Sequence, residues 1–390
     1  MDLSFTPEED SFRLEVRAFI KANLDPETHR KMVEGRIPAK AEIVAWQRCL
    51  ATRGWSTPAW PKEAGGPGWS PVERMIFLDE LHQAPAPEPV SFNVAMLGPV
   101  LIAYGTPEQK ERFLQPTATC DIWWCQGFSE AGAGSDLASL RTSAVRKTDA
   151  DGEHYVVNGA KLWQGMGHHA DWMFTLVRTD PDAPKKQAGI SFLLIDMKSP
   201  GVTVRPIITI DGRHEVNEVF LDDVRVGIEN RLGAENDGWT VAKTLLSSER
   251  TNIARIGMTK HILRRMKALG SEMGGTDAGS ARKAAAIEAE LKILEITQLR
   301  VLDGQARNGG ADPRSSVLKL KGVELRQAAS ELLLSRAGVS ALASSGGEPD
   351  QAADPVETVF PNYAILRAAS IYGGASEVQK TIIAKTILGL

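Results

Sequence analysis

The sequence predicts an α+β fold in which a β-rich stretch is set between two helical ones. Three observations carry this. Early in the chain, apolar residues such as Phe12, Val16, Phe19 and Ile20 recur at helical spacing. Between Asp121 and about Asn230 the pattern changes to short β-rich runs separated by Gly, Asp and Pro turns. Beyond Gly238 helical periodicity returns, with a long amphipathic run from Ala284 to Leu302. No internal repeat is visible. The expected domains are 1–120 (helical), 121–235 (β) and 236–390 (helical).

Each element has a local reason. From Pro7 to about Thr119 the helical segments are punctuated by Pro and Gly. Thr106-Pro107-Glu108-Gln109 reads as a helix start, with Thr as cap and Pro where a missing N–H costs nothing. Strands are expected at Tyr155-Val156-Val157, Trp172 to Val177, Gly189 to Ile195 and Val202-Thr203-Val204. In the last region, Met273 to Ser280 and Ser344 to Pro355 read as loops.

Composition narrows the function. In 390 residues, 43% hydrophobic and 24% charged content is that of a folded globular protein. A net charge of −4 offers no electrostatic basis for binding nucleic acid or an anionic membrane. Cys49, Cys120 and Cys125 are odd in number and lack metal-type spacing, so reduced packing thiols are expected. The acidic start has no signal-peptide pattern and no segment has the unbroken apolar length of a membrane span, so a cytoplasmic protein without membrane insertion is expected. His168-His169 is not expected to bind metal, since adjacent histidines should point to different faces and no carboxylate spacing supports a site.

Two strings decide the chemistry. Ile371-Tyr372-Gly373-Gly374-Ala375-Ser376-Glu377-Val378-Gln379 resembles the C-terminal signature of acyl-CoA dehydrogenases, and the α, β, α order resembles that family from end to end. The resemblance implies an N-terminal all-α domain, a middle β domain and a C-terminal four-helix bundle. Many members carry a catalytic glutamate directly after the tyrosine; here that slot is Gly373. Other members hold the base on an earlier helix, directly before an arginine. Glu249-Arg250, within Leu246-Ser247-Ser248-Glu249-Arg250-Thr251, matches that arrangement. A Glu-Arg pair on a helix is ordinarily a solvated pair. The preceding Asn236-Asp237-Gly238-Trp239-Thr240 and the vacated slot at Gly373 favour a base that has moved. Dehydrogenation across Cα and Cβ needs such a carboxylate for the α proton, and burial beside an acyl chain would raise its pKa to suit. Arg250 is expected to orient the site or pack.

The resemblance also implies FAD and names its contacts. Trp123 to Phe128 followed by Ser129-Glu130-Ala131-Gly132-Ala133-Gly134-Ser135-Asp136 matches the flavin and substrate loop, although a Gly-rich loop alone is more often a turn. By that match Gln126, Phe128 and Ser129 face the cofactor, Ser129 near the reactive nitrogen, and Ser135 lies near the pantetheine arm. Lys161-Leu162-Trp163-Gln164-Gly165 matches a second element, with Trp163 against the isoalloxazine. A core tryptophan is the plainer alternative. Gly165 stands where the family often has threonine, which leaves only backbone donors there. Ser376 and Gln379 match flavin contacts, and Tyr372 lines the substrate site. The thioester carbonyl would be polarised by a ribityl hydroxyl and the Gly373 N–H; such donors are commonly worth about 3 kcal/mol.

The departures bear on assembly. Homotetrameric members carry Arg-x-x-Phe-Gly and Gln-x-x-Gly-Gly-x-Gly strings that hold the neighbouring subunit's FAD. Here those regions read Arg264 to Ser271 and Ser340 to Pro349 and contain neither string. The resemblance therefore implies a bacterial α2β2 heterotetramer, in which this chain brings the base and a second dehydrogenase-like chain brings the adenosine half. The expected activity is FAD-dependent formation of a trans-2-enoyl-CoA from a bulky, branched, steroid-side-chain or dicarboxylic acyl-CoA, with electron-transfer flavoprotein as acceptor. A non-catalytic stabilising subunit, and a flavin-dependent oxidase or monooxygenase on the same scaffold, remain as alternatives.

Overall fold

A computed structural model describes residues 4–150, 152–249, 254–272, 277–308, 312–342 and 354–390, with side chains described for all of these except 247–249, 271–272 and 305–308. Helices α1 (Pro7–Asn23), α2 (Pro26–Glu34), α3 (Lys40–Ala51), α4 (Pro71–Gln83), α5 (Gly98–Tyr104) and α6 (Pro107–Ala118) come first. Capping boxes start several of them. At α6 the Gln109 N–H donates to Thr106 Oγ1 at 3.2 Å while the Thr106 N–H donates back to Gln109 Oε1 at 3.1 Å. Val16, Ile20, Trp46, Leu50, Phe77 and Leu81 form the core of this part.

Seven strands follow: β1 (Trp124–Gly127), β2 (Ser143–Asp149), β3 (Gly152–Gly165), β4 (Trp172–Arg178), β5 (Ile190–Asp196), β6 (Val202–Ile207) and β7 (Val216–Gly227). They pair in the order β1-β4-β2-β3-β7-β6, with β5 against β4. The long β3–β7 ladder is interrupted by register shifts between Val157 and Gly159 and between Leu162 and Gln164. The second shift is a bulge at Trp163, a device that re-aims a side chain.

The chain then becomes helical: α7 (Gly238–Glu249), α8 (Ile256–Glu272), α9 (Ala278–Asn308), α10 (Ser315–Ala337), α11 (Val359–Ile365) and α12 (Ser376–Ile383). Helix α10 packs against α8, α9, α11 and α12. Leu263, Met266, Leu291, Leu294, Leu318, Leu325 and Leu332 fill the space between them. A separate core ties α5, α6 and α7 to the sheet through Leu97, Val100, Phe113, Trp124, Phe174, Phe192, Val241 and Leu245. Helix α7 starts hard against β5: a Cβ on Gly238 would lie 2.5 Å from the Ser191 carbonyl carbon.

Two sequence expectations are corrected. The expected loop from Met273 to Ser280 ends earlier, because α9 begins at Ala278, where Asp277 Oδ1 accepts from the Ser280 N–H at 2.9 Å. Residues 273–276, and most of the expected loop from Ser344 to Pro355, lie outside the described residues. The rings of His168 and His169 do not diverge; a tight turn folds them to 4.0 Å apart, and His214 stacks on His168 at 4.0 Å. Asn217 knits this group, its Oδ1 lying 2.7 Å from His214 Nε2 and its Nδ2 3.2 Å from His168 Nδ1.

Candidate active site

The β region brings Ser129 and Trp163 together through the backbone: the Leu162 N–H donates to the Ser129 carbonyl at 2.8 Å. Trp163 takes φ of +69° at its bulge and is 56% exposed. An indole turned outward at a strained position is not the core tryptophan that burial alone would favour. Phe128 behaves differently from expectation. Its ring is buried against Phe174 and Phe192, at centroid distances of 6.0 and 6.1 Å, so only its backbone can face a ligand. Gln126 is half-buried in β1, and Ser135 is exposed on the loop.

That loop is held by an ion pair. Lys161 is 0% exposed; its Nζ donates to Glu130 Oε1 at 2.8 Å and to the Leu176 carbonyl at 2.7 Å. Glu130 also accepts from the N–H groups of Arg141 and Thr142, at 2.7 and 3.0 Å. Burial pushes the Lys161 ammonium down to about 8, against the pull of Glu130. Burial alone would raise Glu130, but the Lys161 charge and its hydrogen bonds hold it below the usual carboxylate range.

Gly165 has a steric reason. A Cβ there would sit 2.8 Å from Phe92 Cζ. Phe92 opens a π-helical turn, Phe92–Leu97, and its ring occupies the space that a threonine side chain would need.

The second group lies in the C-terminal region. Gly373 and Gly374 both have positive φ, +62° and +86°, making a turn that an L side chain would strain. Gln379, buried on α12, donates from Nε2 to both of their carbonyls at 3.3 Å. From α10, the buried Lys319 donates to the carbonyls of Gly374 (2.8 Å) and Ala369 (3.0 Å). The turn is thus fixed by its carbonyls, while the Gly373 N–H has no acceptor among the described residues. Gln379 Oε1 is buried and unpaired. Ser376 Oγ donates to the Ser370 carbonyl at 3.4 Å. Among the described residues no hydrogen bond joins Tyr372, Gly373, Ser376 or Gln379 to Ser129, Trp163 or Gly165. Glu249 is the last residue of α7, its side chain outside the described ones, and Arg250 lies outside the described residues altogether.

The residues suit a flavin at its ring end. Trp163 supplies an exposed aromatic face, and Gln379 Oε1 is a buried acceptor still lacking a donor. Sequence reasoning missed the parts that act by packing or across distance: Phe92 and Lys319. Nothing in the local sequence around them signals these contacts.

Known proteins extend the picture. Models of the acyl-CoA dehydrogenase N-terminal, middle and C-terminal domains match residues 6–121, 125–224 and 236–388. The acyl-CoA dehydrogenase IpdE1 of Mycobacterium tuberculosis is 36% identical over 391 residues, covering 98% of this chain and 97% of that protein. Among solved structures, the ChsE4-ChsE5 complex of Mycobacterium tuberculosis contains a chain similar at 31% identity and TM-score 0.84, covering 100% of this chain and 99% of that one. The Tcur3481-Tcur3483 steroid ACAD is similar at 28% identity and TM-score 0.85, with the same coverage.

Proposed function

The chain belongs to the acyl-CoA dehydrogenase family and is an oxidoreductase of that class, and from that premise we propose that it catalyses FAD-dependent α,β-dehydrogenation of a bulky acyl-CoA of the steroid-derived type. The observation that carries the reading is the Gly373 turn: its carbonyls are tied down by Gln379 and Lys319 while its N–H is left without an acceptor among the described residues. A preorganised donor aimed at developing enolate charge is worth about 3 kcal/mol of barrier. In this reading the thioester carbonyl accepts from that N–H, which acidifies the α proton.

Glu249, at the end of α7, takes that proton as general base. Gly373 cannot, having no side chain, and leaves room for a bulky acyl group beside the turn. Arg250 orients the base. When bound, FAD supplies the acceptor for the β hydrogen as hydride. Trp163 gives the ring a flat wall, Ser129 and Gln126 border it from the loop and β1, and Ser376 and Gln379 face it from α12. Ser135 lies along the pantetheine arm, Tyr372 along the acyl group. Phe128 contributes backbone only.

The ChsE4-ChsE5 and Tcur3481-Tcur3483 neighbours are two-protein assemblies by name, and the second is named a steroid ACAD. Together with the missing diphosphate-binding strings, they support a heterotetramer with a second dehydrogenase-like chain that completes the FAD site. Electron-transfer flavoprotein is the proposed acceptor. No helix among the described residues is long and apolar enough to cross a membrane. The test is an FAD titration of the purified chain, alone and co-expressed with a partner dehydrogenase chain. Stoichiometric FAD retained only by the pair is expected; a lone chain that is FAD-loaded, tetrameric and active would contradict the shared site.

A further inference from the structure

The bulge that turns Trp163 outward is held by two buried amides. The β3–β7 ladder pairs Leu162 with Glu218 and Gln164 with Asn217, passing over Trp163. A residue other than glycine at φ of +69° persists where its surroundings over-determine it. Gln164 and Asn217, both 0% exposed, do this here. Gln164 Nε2 donates back to the Leu162 carbonyl at 3.0 Å, and Asn217 Nδ2 donates to the Gln164 carbonyl at 3.0 Å, so side-chain donors bracket the bulge. Gly167 leaves room for the second amide, since a Cβ there would lie 3.1 Å from Asn217 Nδ2. Because a carbonyl can only accept, this bond fixes which end of the Asn217 amide is nitrogen, and the roles of its other partners follow. Oδ1 accepts from His214 Nε2 at 2.7 Å, and Nδ2 donates a second time, to the lone pair of His168 Nδ1 at 3.2 Å. His214 can gain a proton at Nδ1 and keep its bond. His168 cannot, because its new N–H would point at the amide NH2.

We propose that Asn217 is the positioning residue of the flavin wall, holding the Trp163 bulge through the Gln164 carbonyl, and that protonation of His168 at Nδ1 releases this hold. The inference rests on the dehydrogenase reading, which puts the flavin ring against Trp163, and adds what sets that wall and what loosens it. While His168 is neutral, the bonds from its ring through Asn217 to the Gln164 backbone are intact. Once it is charged, the His168–Asn217 bond gives way to repulsion, the amide turns, and the strained indole loses a tether. The groups that face His168 are His169 and His214, with rings 4.0 Å away, and Lys40 of α3, whose Nζ donates to the His169 carbonyl at 2.7 Å. Of the strands packed on this turn, β6 carries Arg205, which lies over the Phe220 ring, β7 carries Glu218 next to Asn217, and β1 carries no charged residue. Desolvation, and then the proximity of His214, hold the His168 imidazole below its usual 6.5. The network is therefore closed at neutral pH and opens on acidification.

The test measures FAD affinity by flavin fluorescence, and the visible absorbance of the bound flavin, for the full chain with its partner chain where loading needs one. Titrations are run at about pH 8 and about pH 5, either side of the usual histidine pKa. The wild type should bind FAD about threefold to tenfold more weakly at the lower pH, as expected for one lost hydrogen bond, with its absorbance bands moving toward those of free FAD. His168→Gln, which keeps an oxygen to accept from Asn217 and cannot titrate, should match the wild type at the higher pH and show no fall at the lower. Asn217→Leu should be weakened by a similar factor at the higher pH and no further at the lower. A wild-type affinity that is equal at both pH values would overturn the proposal, as would a fall that His168→Gln shares or an Asn217→Leu variant that binds FAD normally. If Asn217→Leu fails to fold, the wild type and His168→Gln decide alone. FAD bound by none of these proteins at either pH would remove the dehydrogenase reading as well, whereas FAD binding that neither pH nor the variants alter leaves that reading standing.

Discussion

Lys161 and Arg326 are both cations buried in the interior, and they are treated in opposite ways. Lys161, in β3, is surrounded by oxygens: a carboxylate from Glu130 and the carbonyls of Leu176 and Phe128. Arg326, in α10, is buried with an Nε that has no partner among the described residues. A satisfied buried charge fixes a local structure, here the loop that runs from Ser129 to Ser135. An unsatisfied one costs stability. On the β side the Lys161–Glu130 pair is closed on itself, although the nearby Thr142 Oγ1 and Gln164 Oε1 lack partners; on the helical side the Gly373 N–H, Gln379 Oε1 and Arg326 Nε have none among the described residues.

This contrast predicts a graded series of effects. Lys161→Met leaves Glu130 buried and uncompensated, and should cost roughly 3–5 kcal/mol in chemical denaturation; a loss below about 1 kcal/mol would show that the pair is not structural. Glu88 comes next. Burial would raise its carboxyl, but Arg255, His82 and Arg326 hold it at about 2, below the ordinary 4.5. Because the folded-state value is depressed, its contribution is complete above pH 4.5 and disappears as pH falls from 4.5 to 2. Glu88→Gln should therefore lower stability at pH 7 by roughly 3 kcal/mol and flatten the acid limb of a stability-against-pH curve. An acid limb unchanged in the variant would reject that assignment.

Gly165→Thr should cost about 1–3 kcal/mol through the clash with Phe92. Adding Phe92→Ala should return much of it, and a double mutant no better than the single would show that Phe92 is not what excludes the side chain. Arg326→Met should have the smallest effect on the fold. Its removal relieves the burial of an Nε that lacks a partner among the described residues but takes away one of the charges that hold Glu88 down, so the thermal midpoint should move little, in contrast to the large loss in Lys161→Met. A large destabilisation would make Arg326 a second structural cation and end the contrast.

The sequence carries the helical and strand regions well, because periodicity and turn residues are local. The Thr106 cap, and strands at Tyr155, Trp172 and Val202, follow directly from such patterns. What it hides are contacts made across distance. Lys319 reaches Gly374, 55 residues away, and nothing in the run Lys319-Leu320-Lys321 distinguishes the lysine that turns inward from the one that pairs on the surface with Glu324. Phe92 and Gly165 meet only because the π-helical turn and the end of β3 are packed together. Phe128 belongs to the right motif but spends its ring on the core. The histidine pair misled because alternation, a rule for strands, does not govern the tight turn in which it lies.

The central claim is that Glu249 has taken over the acid–base work for which Gly373 has no side chain. Its most direct test is anaerobic titration of the FAD-loaded complex with an acyl-CoA, followed through the visible flavin absorbance, in the wild type and in Glu249→Gln. The account predicts bleaching in the wild type, and in the variant a flavin that stays oxidised although the thioester binds. Bleaching of the variant at the wild-type rate would contradict it and send the search for the base elsewhere in the chain.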